Sequence, residues 1–152
     1  MVILPVIIAG GVGQRLWPVS NSRRPKPFAA LFENSGTLFQ RTMARAQVLS
    51  PGVRPLVVCN ALHRELVLQQ AGVEEISLLL EPEPRDTAAA ICAAAIWCAD
   101  HFGESAVLAV MPADHLIEAH AALADSVSRA PRAAKSGYID TLGLKPHRPA
   151  TE

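Results

Sequence analysis

The sequence predicts an α/β domain of the Rossmann-like, doubly wound kind, with a mainly parallel sheet and helices on both faces. Short β-branched apolar runs alternate with longer helical stretches along the chain, the rhythm of strand-helix-strand units. Each apolar run is nearly continuous rather than alternating, as strands are when helices cover both faces of their sheet. The one long segment without periodicity, Gly10–Phe28, follows the first run directly, and doubly wound sheets bind ligands just beyond their strand ends.

In order along the chain, Val2–Ile8 is the first strand candidate, followed by Pro55–Cys59, Ile76–Leu80 and Ala106–Met111. Tyr138–Leu142 is a fifth, less apolar candidate. Leu38–Leu49 and Leu62–Gln70 carry polar residues on one side and apolar residues on the other, and Gly72 ends the second of them. Thr87–His101 is alanine-rich, hence strongly helical, with Asp86 placed to cap its first turn. Ala119–Lys135 is a last helix, which Pro131 should break or kink.

A chain of 152 residues, half of them hydrophobic and with zero formal net charge, suits one compact soluble domain spanning 1–152. Neutrality removes the electrostatic reason to expect nucleic-acid or membrane-surface binding, so phosphate must be held by a few local groups. Three cysteines, Cys59, Cys92 and Cys98, make no C-x-x-C pair and fit a reducing cytoplasm. Val2–Ala9 has no basic region before it and contains Pro5, so it makes a poor signal peptide. Ala88–Ala99 falls short of the ~20 residues that span a bilayer.

Gly10, Gly11 and Gly13 let the backbone turn tightly and approach a ligand, and successive N–H groups in such a turn converge on phosphate oxygens. Arg15 and Lys26 add positive charge from either end of the same loop. Two familiar glycine motifs fail. A dinucleotide fingerprint needs a glycine where Leu16 stands and a helix opening at once, whereas Pro18, Pro25 and Pro27 keep the chain out of helix. A P-loop needs lysine directly after its last glycine, and Lys26 comes too late.

Gly10-Gly11-Val12-Gly13-Gln14-Arg15-Leu16-Trp17-Pro18 followed by Pro25-Lys26-Pro27-Phe28 resembles the signature of the mannose-1-phosphate guanylyltransferases, within the sugar nucleotidyltransferases. Val57-Val58-Cys59-Asn60 with His63-Arg64 resembles that family's second strand and following helix. Glu81–Ala88 is similar to its E-P-x-x-R-N-T-A segment, Val110–His115 to its L-P-A-D-H, and Thr141–Pro146 to its T-F-G-I-x-P. The resemblance implies a Rossmann-like domain that joins GTP and mannose 1-phosphate into GDP-mannose and pyrophosphate with Mg²⁺. It implies that Arg15 grips the triphosphate, that Lys26 bridges the phosphates of nucleotide and sugar, and that Gly10, Gly11 and Gly13 give backbone contact to the nucleotide.

The residues themselves allow those roles. Asp114 follows a strong strand, where a carboxylate suits Mg²⁺ or a helix cap. Glu81 follows the third strand, where it could accept the two N–H donors of a guanine edge or stand as a surface carboxylate. Asp86 and Thr87 match family positions near the nucleoside, although Asp86 stands where asparagine is usual and loses an amide donor. Pro27 and Ala89 also depart from the usual glutamine and proline. His63, His101, His120 and His147 have no metal-ligand spacing and receive no role.

The family's sugar-binding half, its second metal-binding aspartate and the isomerase domain fused to some members have no counterpart in these residues. The expected partners are GTP and mannose 1-phosphate, with homo-oligomerisation open. The alternatives are a catalytically inactive nucleotide-binding fragment, or a related nucleotidyltransferase with another base or sugar.

Overall fold

The structure, a computed structural model, describes residues 2–11, 16–31, 36–83, 85–118 and 120–143. Four strands form one parallel sheet: β1 (Ile3–Ile8), β2 (Leu56–Asn60), β3 (Ser77–Glu81) and β4 (Val107–Pro112). Their order is β3-β2-β1-β4, with every neighbouring pair parallel. The chain steps outward from β1 to β3, then returns to the far side of β1 to lay down β4. That reversal opens a crevice between β1 and β4 at their carboxyl ends, where ligands of such sheets bind.

The pleat explains the two-sided core. Alternate residues of a strand face opposite ways. Ile7, Val57, Cys59 and Met111 therefore meet Phe39, Met43 and Ala46 of helix α1 (Leu38–Leu49) and Val67 of α2 (Arg64–Ala71). Leu4, Val6, Leu56 and Val58 face the other way and meet Ala90, Ala94 and Cys98 of α3 (Asp86–Phe102). Helices thus cover both faces, and each fully buried Leu, Ile, Val or Phe contributes roughly 1.5–3 kcal/mol of apolar transfer.

Local chemistry sets the helix ends. Thr37 and Gln40 form a reciprocal capping box at the start of α1. Gly72 and Gly103, at φ 84° and 81°, turn the chain out of α2 and α3 in a conformation that side chains resist. The expected cap at Asp86 is not made. The helix begins at Asp86 itself, whose φ is 57°, and the cap position falls to Arg85 with no side-chain cap bond. Inside the first turn, Asp86 no longer precedes the free amides that a capping carboxylate must reach, though its charge still favours that end of the helix dipole.

The last helix divides as proline demands, into α4 (His120–Arg129) and α5 (Pro131–Lys135), with Pro131 opening the second. Tyr138–Leu142 is not a strand. Gly137, at φ 83°, turns the chain, and the Tyr138 N–H donates back to the Ala133 carbonyl at the end of α5. Ile139 is left 95% exposed, and a strand needs a ladder partner to satisfy its backbone groups. Among the described residues, no helix is long and apolar enough to cross a membrane.

Candidate functional site

The ladder continues one residue beyond two strands. Ala9 N–H donates to the Val58 carbonyl at 2.8 Å, and Ala113 N–H donates to the Ile8 carbonyl at 2.9 Å. These bonds hold Gly10 and Asp114 at the same edge of the sheet, one on each side of the crevice.

Glu81 ends β3 and leans over Gly10. A Cβ on Gly10 would stand 2.7 Å from Glu81 Oε2, closer than real contacts allow. A side chain at Gly10 would push the flexible Glu81 carboxylate aside, so glycine here permits that close approach rather than an unusual φ. Burial raises the Glu81 carboxyl pKa above its ordinary value. Cys59, buried one strand over, is pushed up to about 11, first by burial and then by the Glu81 charge. A thiol held that firmly protonated is no nucleophile at neutral pH, so Cys59 serves as core.

Lys26 enters from the long loop. Pro25 and Pro27 fix the backbone around it, and Lys26–Phe28 closes a short 3-10 turn. Phe28 is fully buried against Phe39, with ring centroids 5.2 Å apart, and anchors the turn. From there Lys26 Nζ donates to Asp114 Oδ2 at 3.2 Å. The two side chains are 34% and 41% exposed, so the pair adds only ~0–1 kcal/mol and can part cheaply. His115 Nε2 lies 4.0 Å from the other carboxylate oxygen. Lys26, Asp114, His115, Leu31, Leu38, Leu116 and Ile117 line a cleft of about 400 Å³. A second shallow cleft, of about 460 Å³, lies on α4 and α5 beside Arg129, Arg132 and Tyr138, away from the strand ends.

The structure thus joins Gly10 to Glu81 and Lys26 to Asp114. Among the described residues, no hydrogen bond or ion pair ties Asp86 or Thr87 to these groups, and both are exposed at the start of α3. Gly11 is exposed with open space about it. Gly13 and Arg15 lie outside the described residues, as do Leu144–Pro146 of the Thr141–Pro146 segment. No cluster of three or more metal-ligating side chains occurs among the described residues.

Three residues around the site received no role from the sequence, although His63 stands in the segment that resembles the family's second strand and following helix. Arg45 of α1 is 1% exposed and donates to Thr42 Oγ1 at 2.7 Å and, at 3.4 Å, to the His115 carbonyl beside Asp114. Burial, with the nearby Arg41 charge, lowers its pKa. His63 and Gln70 reach backbone carbonyls of the lysine loop: His63 Nε2 lies 3.0 Å from Ser22 O, and Gln70 Nε2 donates to Phe28 O at 3.1 Å. An exposed-looking polar residue in a helix pattern gives no hint of such a partner.

The parallel sheet, its switch point and the helices on both faces define a Rossmann-like α/β class. The chain belongs to the nucleotidyl transferase family, whose model matches residues 4–152. It is 44% identical over 152 residues to a mannose-1-phosphate guanylyltransferase of Sinorhizobium fredii, a match covering 98% of this chain and 30% of that protein. It is 40% identical to the xanthan biosynthesis protein XanB of Xanthomonas campestris, again over 98% of this chain and 32% of the relative. Among solved structures, a protein named mannose-1-phosphate geranyltransferase from Thermus thermophilus matches with a TM-score of 0.87 and 38% identity, over 100% of this chain and 44% of that one. The chain therefore spans about a third of the length of the curated relatives it matches.

Proposed function

We propose that this chain forms the nucleotide-gripping part of a guanylyltransferase that makes GDP-mannose and pyrophosphate from GTP and mannose 1-phosphate. The observation that carries the reading is the Lys26–Asp114 pair, held at 3.2 Å across the switch point of a nucleotidyl transferase sheet. Relatives named for mannose-1-phosphate guanylyl transfer and for xanthan biosynthesis supply the base, the sugar and the polysaccharide context.

In the reaction a phosphate oxygen of mannose 1-phosphate attacks the α-phosphorus of GTP. The bond from that phosphorus to the oxygen bridging to the β-phosphate breaks, and pyrophosphate leaves with the electron pair. No protein nucleophile is needed; the protein must align two anions and offset the charge that develops. Lys26, a flexible point charge in a weak exposed pair, can leave Asp114 for the phosphates. Arg15 is proposed as a forked phosphate grip, and Gly10, Gly11 and Gly13 as the backbone floor beneath the nucleotide. Glu81, partly desolvated beside Gly10, is the proposed acceptor for a guanine edge. Asp86 and Thr87 are proposed to lie near the nucleoside.

Magnesium fits this donor set as a substrate-borne ion. Asp114 can offer one carboxylate oxygen once Lys26 moves, and Mg²⁺ commonly takes one or two protein carboxylates, with phosphate and water completing its shell. Bound there, the ion would neutralise phosphate charge. The odd set of free cysteines, Cys59, Cys92 and Cys98, supports a reducing, cytoplasmic setting.

Incubation of the purified chain with GTP, Mg²⁺ and mannose 1-phosphate tests the reading. Pyrophosphate release should fall at least about 100-fold in Lys26→Ala, the scale of losing one developed-charge contact. Release that survives the substitution sinks the role of Lys26. A second reading rests on the groups that the described residues bring together, Gly10 with Glu81 and Lys26 with Asp114: nucleotide binding without turnover. It predicts measurable GTP affinity, sensitive to Lys26→Ala, with no pyrophosphate.

A further inference from the structure

Lys26 sits in a segment poor in its own hydrogen-bond donors, because Pro25 and Pro27 have no N–H. Within the segment Pro25 O and Lys26 O accept from the Phe28 and Ala29 N–H groups, and Phe28 O from Arg24 Nε at 3.4 Å; two carbonyls that flank Lys26 also meet side chains from outside it. His63, on the 3-10 turn Ala61–His63 just before α2, reaches the Ser22 carbonyl at 3.0 Å. Gln70, at the other end of α2, donates to the Phe28 carbonyl at 3.1 Å. Ser22 and Phe28 bracket Lys26 on the N- and C-terminal sides.

Both contacts are chemically one-way. A carbonyl only accepts, so the proton of His63 lies on Nε2. Gln70 Oε1 accepts from the Thr37 hydroxyl at 2.6 Å, which directs its NH₂ toward Phe28. The opposite amide orientation would set two acceptors against each other. Gln70 therefore ties the cap of α1, through α2, to the turn that carries Lys26.

Packing alone does not account for this chemistry. His63 is 2% exposed, its ring lies against Phe28, and its buried Nδ1 has no hydrogen-bond partner among the described residues. An aliphatic side chain would pack there without burying an unpaired Nδ1, so the imidazole needs another explanation. The donor it provides to the lysine loop is that explanation.

We infer that His63 and Gln70 are positioning residues for Lys26, a two-point clamp from opposite ends of α2 that fixes the turn from which the lysine reaches phosphate. The inference rests on the reading of Lys26 as the phosphate-facing cation.

The test combines a ligand-free and a ligand-dependent measurement on the full chain. Amide exchange at Phe28 and Ala29, whose N–H groups bond Pro25 O and Lys26 O, should quicken about tenfold or more in Gln70→Met and in His63→Leu as the turn opens locally. His63→Gln, which keeps a donor at similar reach, should restore the slow rate. Gln70→Met should weaken GTP binding about tenfold in the native background but less than about twofold when Lys26→Ala is already present, the non-additivity of residues acting through one another. Unchanged exchange overturns the clamp. Faster exchange with fully additive affinity losses overturns its action through Lys26. A native chain that binds no GTP overturns the functional reading and the positioning role with it, while the exchange rates still report on the clamp itself.

Discussion

At the scale of single residues, Lys26 was legible as the cation closing the glycine loop and Asp114 as the carboxylate after a strand, while their contact at 3.2 Å was not. Glu81 was legible as the residue just after the third strand and in fact closes it, but its nearness to Gly10 was not legible, since that depends on the alignment of β1, β2 and β3. His63 was passed over for want of metal-ligand spacing. Its partner is a backbone carbonyl, which has no signature in sequence. Cys59 yields a prediction at this scale. At pH 8 a thiol reagent should modify the exposed Cys92 quickly and leave the buried Cys59 and Cys98 untouched until denaturant is added. Because folding raises the Cys59 pKa from 9.0 to about 11, the folded chain holds a proton that the unfolded chain releases between those values. Its stability should therefore decline from pH 9 to 11 more steeply than that of Cys59→Ala, as urea midpoints would report. Equal declines would show that folding does not raise the Cys59 pKa.

At the scale of elements, the strands were read to within a residue or so because continuous apolar runs have few alternatives in a covered sheet. Tyr138–Leu142 misled because strand propensity says nothing of whether a ladder partner is at hand. The start of α3 misled in a different way. An aspartate before an alanine run reads as a cap, yet here the helix takes it in at φ 57°, a conformation that aspartate tolerates better than most residues. The start of α1 held an unread signal: Thr37 followed three residues on by Gln40 is a capping-box pattern. Thr37→Ala should lower stability by ~1 kcal/mol through the lost cap, measured as a shift in the denaturant midpoint at unchanged slope. It also removes the hydroxyl that orients Gln70. A midpoint equal to the native one would show that the cap is not formed in solution.

For the molecule as a whole, alternation of strands and helices made the fold class legible, while the strand order was not. Whether the chain returns past β1 or continues outward after β3 is decided by which sheet edge α3 packs across, a matter of tertiary contacts. That return has a consequence for how ligand and fold support each other. Lys26 and Asp114 stand 88 positions apart, and the ladder between β1 and β4 joins Ile3 to Val107. It is the seam that closes the longest loop in the sheet, with the chain entropy such closure costs. A nucleotide held from both sides of the seam would recognise only the closed arrangement. It would act as a clasp on the fold, worth about 2.7 kcal/mol at a hundredfold excess over its dissociation constant, or roughly 5–10 °C in melting temperature for a chain of this size. The same clasp should slow proteolysis near β4 and exchange of the Ala113 amide. Melting that ignores GTP would mean that the folded chain does not bind the nucleotide in preference to the unfolded one.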